Sequence, residues 1–188
     1  MTLSVEGNIS AGKSTFLDVL SHEETHLRDI LKVVQEPVEN WQAYECLDRH
    51  GRGVTANVLE KFYSDPHRYA YSFQHYVLMS RMKKDRDTRQ AGKDLRVLER
   101  SIFSDRQVFV RAMHRAGTME DFEVSVYNTI FDQEVTHDIE LVPDGFVYLR
   151  ANPGTCMQRM RRRNRGEEGG VSQAYLEELH ANHEDWLL

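Results

Sequence analysis

Cysteine is scarce in this chain, long apolar runs are missing, and the charge balance is not basic. Each absence removes a class of protein. The two cysteines, Cys46 and Cys156, lie far apart and lack metal-ligand spacing, so the chain reads as a reduced intracellular protein. No apolar stretch approaches a membrane span, so no membrane partner is expected. A net charge of −6 argues against a general nucleic-acid coat, so no nucleic-acid partner is expected either. Low-complexity tracts, internal repeats and dividing linkers are also missing, which leaves 188 residues for one domain with a substantial core. The first strand-like run starts almost at Met1, so the chain reads as carrying no signal or transit peptide.

What is present is organised around Gly7–Thr15, a fit to G-x-x-x-x-G-K-[ST]. Leu3–Glu6 before it reads as a buried strand, and Phe16–Leu20 after it as the apolar start of a helix. Gly7 and Gly12 let the backbone turn and approach an anion closely. The N–H groups along Asn8, Ile9, Ser10, Ala11, Lys13, Ser14 and Thr15 then point inward, and the helix start adds partial positive charge. Lys13 would reach the β- and γ-phosphates, and the Ser14 hydroxyl would face a Mg²⁺ ion. The segment reads as a nucleoside triphosphate site.

Four β-rich runs, Leu3–Glu6, Leu31–Gln35, Leu95–Leu98 and Gly145–Leu149, alternate with helical stretches. Their near-continuous apolar character suits strands covered on both faces, and the alternation implies right-handed crossovers and a parallel sheet. Helices are predicted at Ser14–His22, Thr55–Tyr63, Pro66–Asp87, Phe103–Arg115, Met119–Val135, Pro153–Arg163 and Ser172–Leu188. Pro66 and Pro153 suit first helical turns.

In such sheets the ligand lies beyond the C-terminal ends of the strands. Those ends carry the glycine loop, Gln35-Glu36-Pro37, Glu99-Arg100-Ser101 and Arg150-Ala151-Asn152. Acidic residues at two strand ends beside a phosphate loop suit phosphoryl transfer: one as base for an acceptor hydroxyl, the other on the metal side. Strand-terminal carboxylates also serve as helix caps, so each residue alone is a weak signal.

With these residues in hand, the chain resembles the deoxyribonucleoside kinases over nearly its whole length. The resemblance rests on Val5-Glu6-Gly7-Asn8-Ile9, Glu36-Pro37-Val38 with Trp41, Phe62-Tyr63, and Tyr71-Ser72-Phe73-Gln74. It continues through Glu99-Arg100-Ser101, Ser104-Asp105-Arg106, the arginine run ending in Glu167-Glu168, and His183–Leu188. Leu141–Phe146 and Glu167–Val171 are worded most like plant-type members, within a deoxycytidine and deoxyguanosine kinase-like branch. The implied fold is a P-loop three-layer α/β sandwich, a parallel sheet flanked by helices.

The resemblance implies transfer of the γ-phosphate of ATP to the 5′-hydroxyl of a deoxynucleoside. Glu36 matches the general base, Arg100 the arginine that orients it, and Glu99 the metal-side acid working with Ser14. Gln74 matches the amide that reads the base edge, Phe73 and Phe109 the rings flanking it, and Trp41 a pocket wall. Tyr63 and Glu168 match the pair that holds the sugar 3′-hydroxyl. Arg81 with Asp105 occurs in members accepting deoxycytidine and purine deoxynucleosides. Val77 departs from the smaller residue usual there and leaves base preference open.

The run Arg159, Arg161, Arg162, Arg163 and Arg165 reads either as a solvated helix end or as a lid, spanning about 159–168, over the triphosphate. As a lid, Arg163 would take the phosphates and Arg159 the adenine. Family chains continue past Trp186-Leu187-Leu188 into a fifth strand, so the resemblance implies a C-terminally incomplete domain of low stability or activity. It also implies a homodimer packed through helices, placed in the cytoplasm or the mitochondrion.

Three other readings fit the sequence less well. A nucleoside monophosphate kinase needs basic residues for an acceptor phosphate, where this pocket offers Gln, Tyr, Trp, Phe and Glu. A GTPase-like switch finds only Asp48-Arg49-His50-Gly51, which the strand assignment leaves unattached to any strand. A non-catalytic relative in a larger complex need not keep Lys13, Ser14, Glu36, Glu99 and Arg100 together.

Overall fold

Four apolar runs do assemble into one parallel sheet. A computed structural model describes residues 1–22, 27–89 and 94–188. The chain runs β1 (Thr2–Glu6), α1 (Lys13–His22), α2 (Leu27–Ile30), β2 (Leu31–Val34), α3 (Val38–Gln42), β3 (Tyr44–Leu47), β4 (Gly53–Ala56), α4 (Val58–Ser64), α5 (Pro66–Arg89) and β5 (Leu95–Glu99). It continues through α6 (Ile102–Ser104), a π-helical stretch (Asp105–Val110), α7 (Arg111–Arg115), α8 (Asp121–His137), β6 (Gly145–Tyr148), α9 (Pro153–Arg163) and α10 (Gln173–Leu187).

The sheet order is β2-β5-β1-β6, every pairing parallel. Val5 and Val97 bury one face of the sheet against Leu17 of α1. A second core gathers Trp41, Phe62, Phe73, Tyr127 and Phe131 around α5 and α8. Glu6, fully buried at the end of β1, accepts from Ser4 Oγ at 2.7 Å and from Ser101 N and Oγ at 2.9 and 2.8 Å. One carboxylate thereby ties the exit of β5 to that of β1, which fixes where Glu99 and Arg100 emerge.

Three departures from the sequence reading have local causes. Residues 55 and 56, predicted to open a helix, belong to β4, which pairs antiparallel with β3. The helix starts at Val58 because the Asn57 side chain caps it, accepting from Glu60 N at 2.9 Å. The Asp48–Gly51 segment therefore does follow a strand, β3, but it is a hairpin turn closed by Asp48 on His50 N and Arg52 N at 2.7 and 3.0 Å. Its carboxylate is engaged locally and lines no part of the main cleft. The helix predicted over 103–115 is interrupted by the π-helical stretch, a wide turn of the kind that marks functional sites.

Candidate active site

The glycine loop adopts the geometry its motif demands. Gly7 has φ +148°, and a Cβ there would lie 2.7 Å from the Leu149 carbonyl oxygen, a clash that only glycine avoids. Gly12 has φ +109° and opens α1. Asn8 lies beneath the loop and donates through Nδ2 to the Leu176 carbonyl at 2.8 Å, tying the loop to α10. Lys13 is buried and donates from Nζ to the carbonyls of Gly7 and Asn8 at 3.2 and 2.9 Å. Burial, helped by the Arg100 charge, pushes Lys13 down to about 7 against the pull of Glu36, Glu99 and Glu6. A buried ammonium this reluctant to stay charged is a ready partner for a polyanion.

Ser14 Oγ donates to Glu99 Oε1 at 2.6 Å at the loop's edge. The pair offers hard oxygen donors, the kind Mg²⁺ takes, and so fits that ion. Among the described residues no cluster of three or more acidic, His or Cys side chains is arranged for a metal, so further ligands would come from phosphates and water.

A cleft of about 1210 Å³ extends from the loop to the space between α3, α4, α5 and the π-helical stretch. That is room for two ligands rather than one. Ile9–Thr15, Glu36, Trp41, Tyr63, Phe73, Gln74, Arg81, Glu99, Arg100, Asp105, Phe109, Arg159, Arg163 and Glu168 all line it. Gly7 and Asn8 support the loop from behind instead. Arg161 and Arg162 are exposed and do not line the cleft.

At its centre stand four charged groups, Arg81, Asp105, Glu36 and Arg100, brought together from four parts of the chain. Arg81, on the buried face of α5, donates from Nε to both oxygens of Asp105 and from Nη2 to Glu36. Arg100 Nε lies 3.7 Å from the same Glu36 oxygen. Burial works to raise the Glu36 pKa, but Arg81, Arg100 and Lys13 together draw it down to about 2. Burial and the Glu36 charge push Asp105 the other way, to about 7, against Arg81. The Arg81–Asp105 pair is deeply buried, at 6% and 1% side-chain exposure, which rules out a surface ion pair.

The far end of the cleft is aromatic. Phe73 stacks on Phe62 at 4.7 Å between centroids and meets Trp41 edge-on at 6.1 Å. Gln74, 2% exposed, holds its Oε1 in that hollow without a hydrogen-bond partner among the described residues. Such an atom calls for a donor from a ligand. Tyr63 is half-buried in the cleft wall, and desolvation with the nearby Tyr175 and Glu168 pushes its phenol well up. Glu168 accepts from Arg163 Nη2 at 2.6 and 2.7 Å, and from Arg165 at 3.4 Å. Arg159 Nη1 donates to the Ala11 carbonyl at 2.7 Å and so packs on the glycine loop.

Sequence reasoning missed Tyr175 and Phe62 as cleft walls, while Arg165 of the arginine run does line the cleft. Tyr175 sits on α10, far along the chain, with no motif to mark it. The contact between Glu36 and Arg81 was also missed, because Arg81 was assigned to the base edge alone.

A glycine loop at the head of a parallel sheet, with acids at the two neighbouring strand ends, defines a P-loop phosphotransferase. Comparison with known proteins narrows the class. The model of the family described as deoxynucleoside kinase matches residues 3–188. The chain is 39% identical over 185 residues to a probable deoxycytidine kinase of fowlpox virus, covering 98% of this chain and 71% of that one. It is 35% identical over 200 residues to the Homo sapiens deoxycytidine kinase, covering 99% and 75%. Against the Xenopus laevis mitochondrial deoxyguanosine kinase the identity is 34% over 197 residues, covering 98% and 72%. The chain belongs to the deoxynucleoside kinase family. Its activity is ATP-dependent phosphorylation of a deoxynucleoside, a reaction of nucleotide salvage. Among the described residues no helix is long and apolar enough to cross a membrane.

Proposed function

We propose that the chain transfers the γ-phosphate of ATP to the 5′-hydroxyl of deoxycytidine or a purine deoxynucleoside, with Glu36 receiving the hydroxyl proton. The observation that carries this reading is the Glu36 carboxylate, held ionised between two arginines in the cleft that the glycine loop closes at its other end. Gln74 meets the base edge with its unpartnered carbonyl, and Phe73 and Phe109 flank the ring. Tyr63 and Glu168 hold the 3′-hydroxyl. The 5′-oxygen forms its bond to the γ-phosphorus as the bond to the β–γ bridging oxygen breaks and ADP departs, while the proton passes to a Glu36 oxygen. A base this acidic is a poor proton acceptor early on. Its role is to orient the hydroxyl and take the proton late, which a loose phosphoryl-transfer path permits.

Lys13 and Arg163 neutralise charge on the phosphates, and Ser14 with Glu99 would hold Mg²⁺, which would supply further charge neutralisation. Arg159 would meet the adenine, or the loop on which it packs. Arg81 and Asp105 shape the base end. The proposal includes a homodimer built through helices, supported by exposed Met79 on α5 and Phe122 on α8. It includes an intracellular location, cytoplasmic or mitochondrial, supported by a relative named as mitochondrial.

The test is phosphorylation of each of the four deoxynucleosides, and of their 5′-monophosphates, with ATP and Mg²⁺, by wild type and by Glu36→Gln. Equal rates for the two proteins would remove Glu36 as the base, and product formed only from deoxynucleoside monophosphates would overturn the acceptor.

A further inference from the structure

His183 lies on α10, fully buried, and none of the roles above uses it. Its Nδ1 faces the Leu179 carbonyl one turn earlier at 2.6 Å, so Nδ1 carries the proton and donates. Nε2 is left as a lone pair, and it faces Arg100 Nη1 at 3.4 Å. Burial and the Arg100 charge hold the ring down to about 3, so this acceptor form persists at neutral pH. Tyr148 stacks on the ring at 5.8 Å and 5° between planes, which fixes its orientation. The preceding residue, Asn182, donates from Nδ2 to the Val108 carbonyl at 3.0 Å and so pins α10 against the π-helical stretch.

Arg100 needs such a hold. Its φ of +62° lies in the left-handed region, which a non-glycine residue occupies only when its surroundings insist. Nη1 has two protons to place. Ser104 Oγ takes one at 3.0 Å, and His183 Nε2 is positioned for the other. The guanidinium also lies over the Phe109 ring, 4.8 Å from its centroid. Its Nε edge is the one that faces Glu36. A side chain gripped at Nη1 cannot swing its Nε edge away from that carboxylate.

We propose that His183 is a positioning residue for phosphoryl transfer: as a neutral acceptor at Nε2 it aims the Arg100 guanidinium at Glu36 and hence at the reacting hydroxyl. This rests on the reading of Glu36 and Arg100 above, and its failure is separable, because Glu36→Gln tests that reading without touching His183.

The experiment uses steady-state kinetics of His183→Phe, which keeps the stacked ring and deletes the acceptor, and of His183→Gln, whose amide oxygen restores one. In the phenylalanine variant kcat falls on the order of tenfold to a hundredfold while both KM values stay within about twofold. The glutamine variant recovers most of that loss. In an Arg100→Ala background His183→Phe causes little further loss, since the group it acts through is gone. Wild-type kcat in His183→Phe, an equal loss in both variants, or losses that multiply in full with Arg100→Ala would each overturn the proposal. Independently of any variant, ¹⁵N imidazole shifts of the wild-type enzyme at neutral pH should show Nδ1 protonated and Nε2 bare. A protonated Nε2 would overturn the proposal as well.

Discussion

Arg81 grips Asp105 through one nitrogen, its Nε donating to both carboxylate oxygens at 3.0 and 2.9 Å, while Nη2 donates to Glu36 and Nη1 to the Glu99 carbonyl at 3.2 Å. A planar guanidinium holds two carboxylates at fixed angles in this way, whereas a lysine ammonium is a compact point charge without that rigid fork. Under the roles proposed above, the group that shapes the base end of the cleft also helps keep the Glu36 carboxylate ionised.

Replacing Arg81 by Lys should therefore alter the pH profile as well as the rate. Glu36 at about 2 is ionised throughout the usual assay range, so wild type shows no acid limb from it. Loss of the guanidinium raises Glu36 toward its ordinary value, and the protonated, inactive fraction then appears as pH falls. We expect an acid limb in kcat/KM to enter between about pH 4 and 6 in Arg81→Lys, measured against wild type over the same range.

Glu36→Gln keeps the shape of the side chain and removes its charge. It should lower kcat by about a hundredfold or more while ATP affinity is kept, as read by turnover and by nucleotide titration. A loss of ATP binding instead would place Glu36 in support of the loop.

Under the role proposed for Lys13, ATP binding should be proton-linked. With its pKa near 7 in the protein alone, much of Lys13 is neutral at pH 8, and the incoming phosphates favour the charged form. ATP binding should take up protons at pH 8, and affinity should fall as pH rises above about 7. Calorimetry in two buffers of different ionisation enthalpy reads the uptake directly. Lys13→Arg, always charged, should abolish it.

Tyr63→Phe deletes one hydroxyl from a buried site proposed to hold a sugar hydroxyl. Discrimination between a 2′-deoxynucleoside and its 2′,3′-dideoxy analogue should shrink by about tenfold, measured as a ratio of kcat/KM values.

Gly7→Ala places a methyl group where the Leu149 carbonyl oxygen stands 2.7 Å away, at φ +148°. The backbone has to move, at about 1–3 kcal/mol. Thermal unfolding should come roughly 3–10 °C earlier, with nucleotide binding lost beyond what the stability change explains.

The sheet was legible because its strands are short apolar runs between turn signals, as in Val97-Leu98 and Phe146–Leu149. The glycine loop was legible because few chemistries need that spacing. The β3–β4 hairpin was not, since Tyr44–Leu47 and Gly53–Ala56 are mostly exposed and so carry no apolar alternation. The π-helical stretch was not either, because Asp105–Val110 has an ordinary helical composition and its extra width goes with contacts from elsewhere, such as Asn182 on Val108. In the cleft, the family resemblance named the residues and some of their pairings, Arg81 with Asp105 and Ser14 with Glu99 among them, but not the contact between Arg81 and Glu36. Glu36 and Arg81 are 45 residues apart, and only the packing of α5 beside the end of β2 brings them together.

The pairing of Arg163 with Glu168 means that neither residue is idle. Under the roles proposed for them, the guanidinium has a second suitor in a phosphate, and the carboxylate has one in a sugar alcohol. Whichever co-substrate arrives first loosens the embrace and leaves the other half for its companion. Nucleotide and nucleoside would then ease each other's entry by one and the same free energy, whatever the order of arrival.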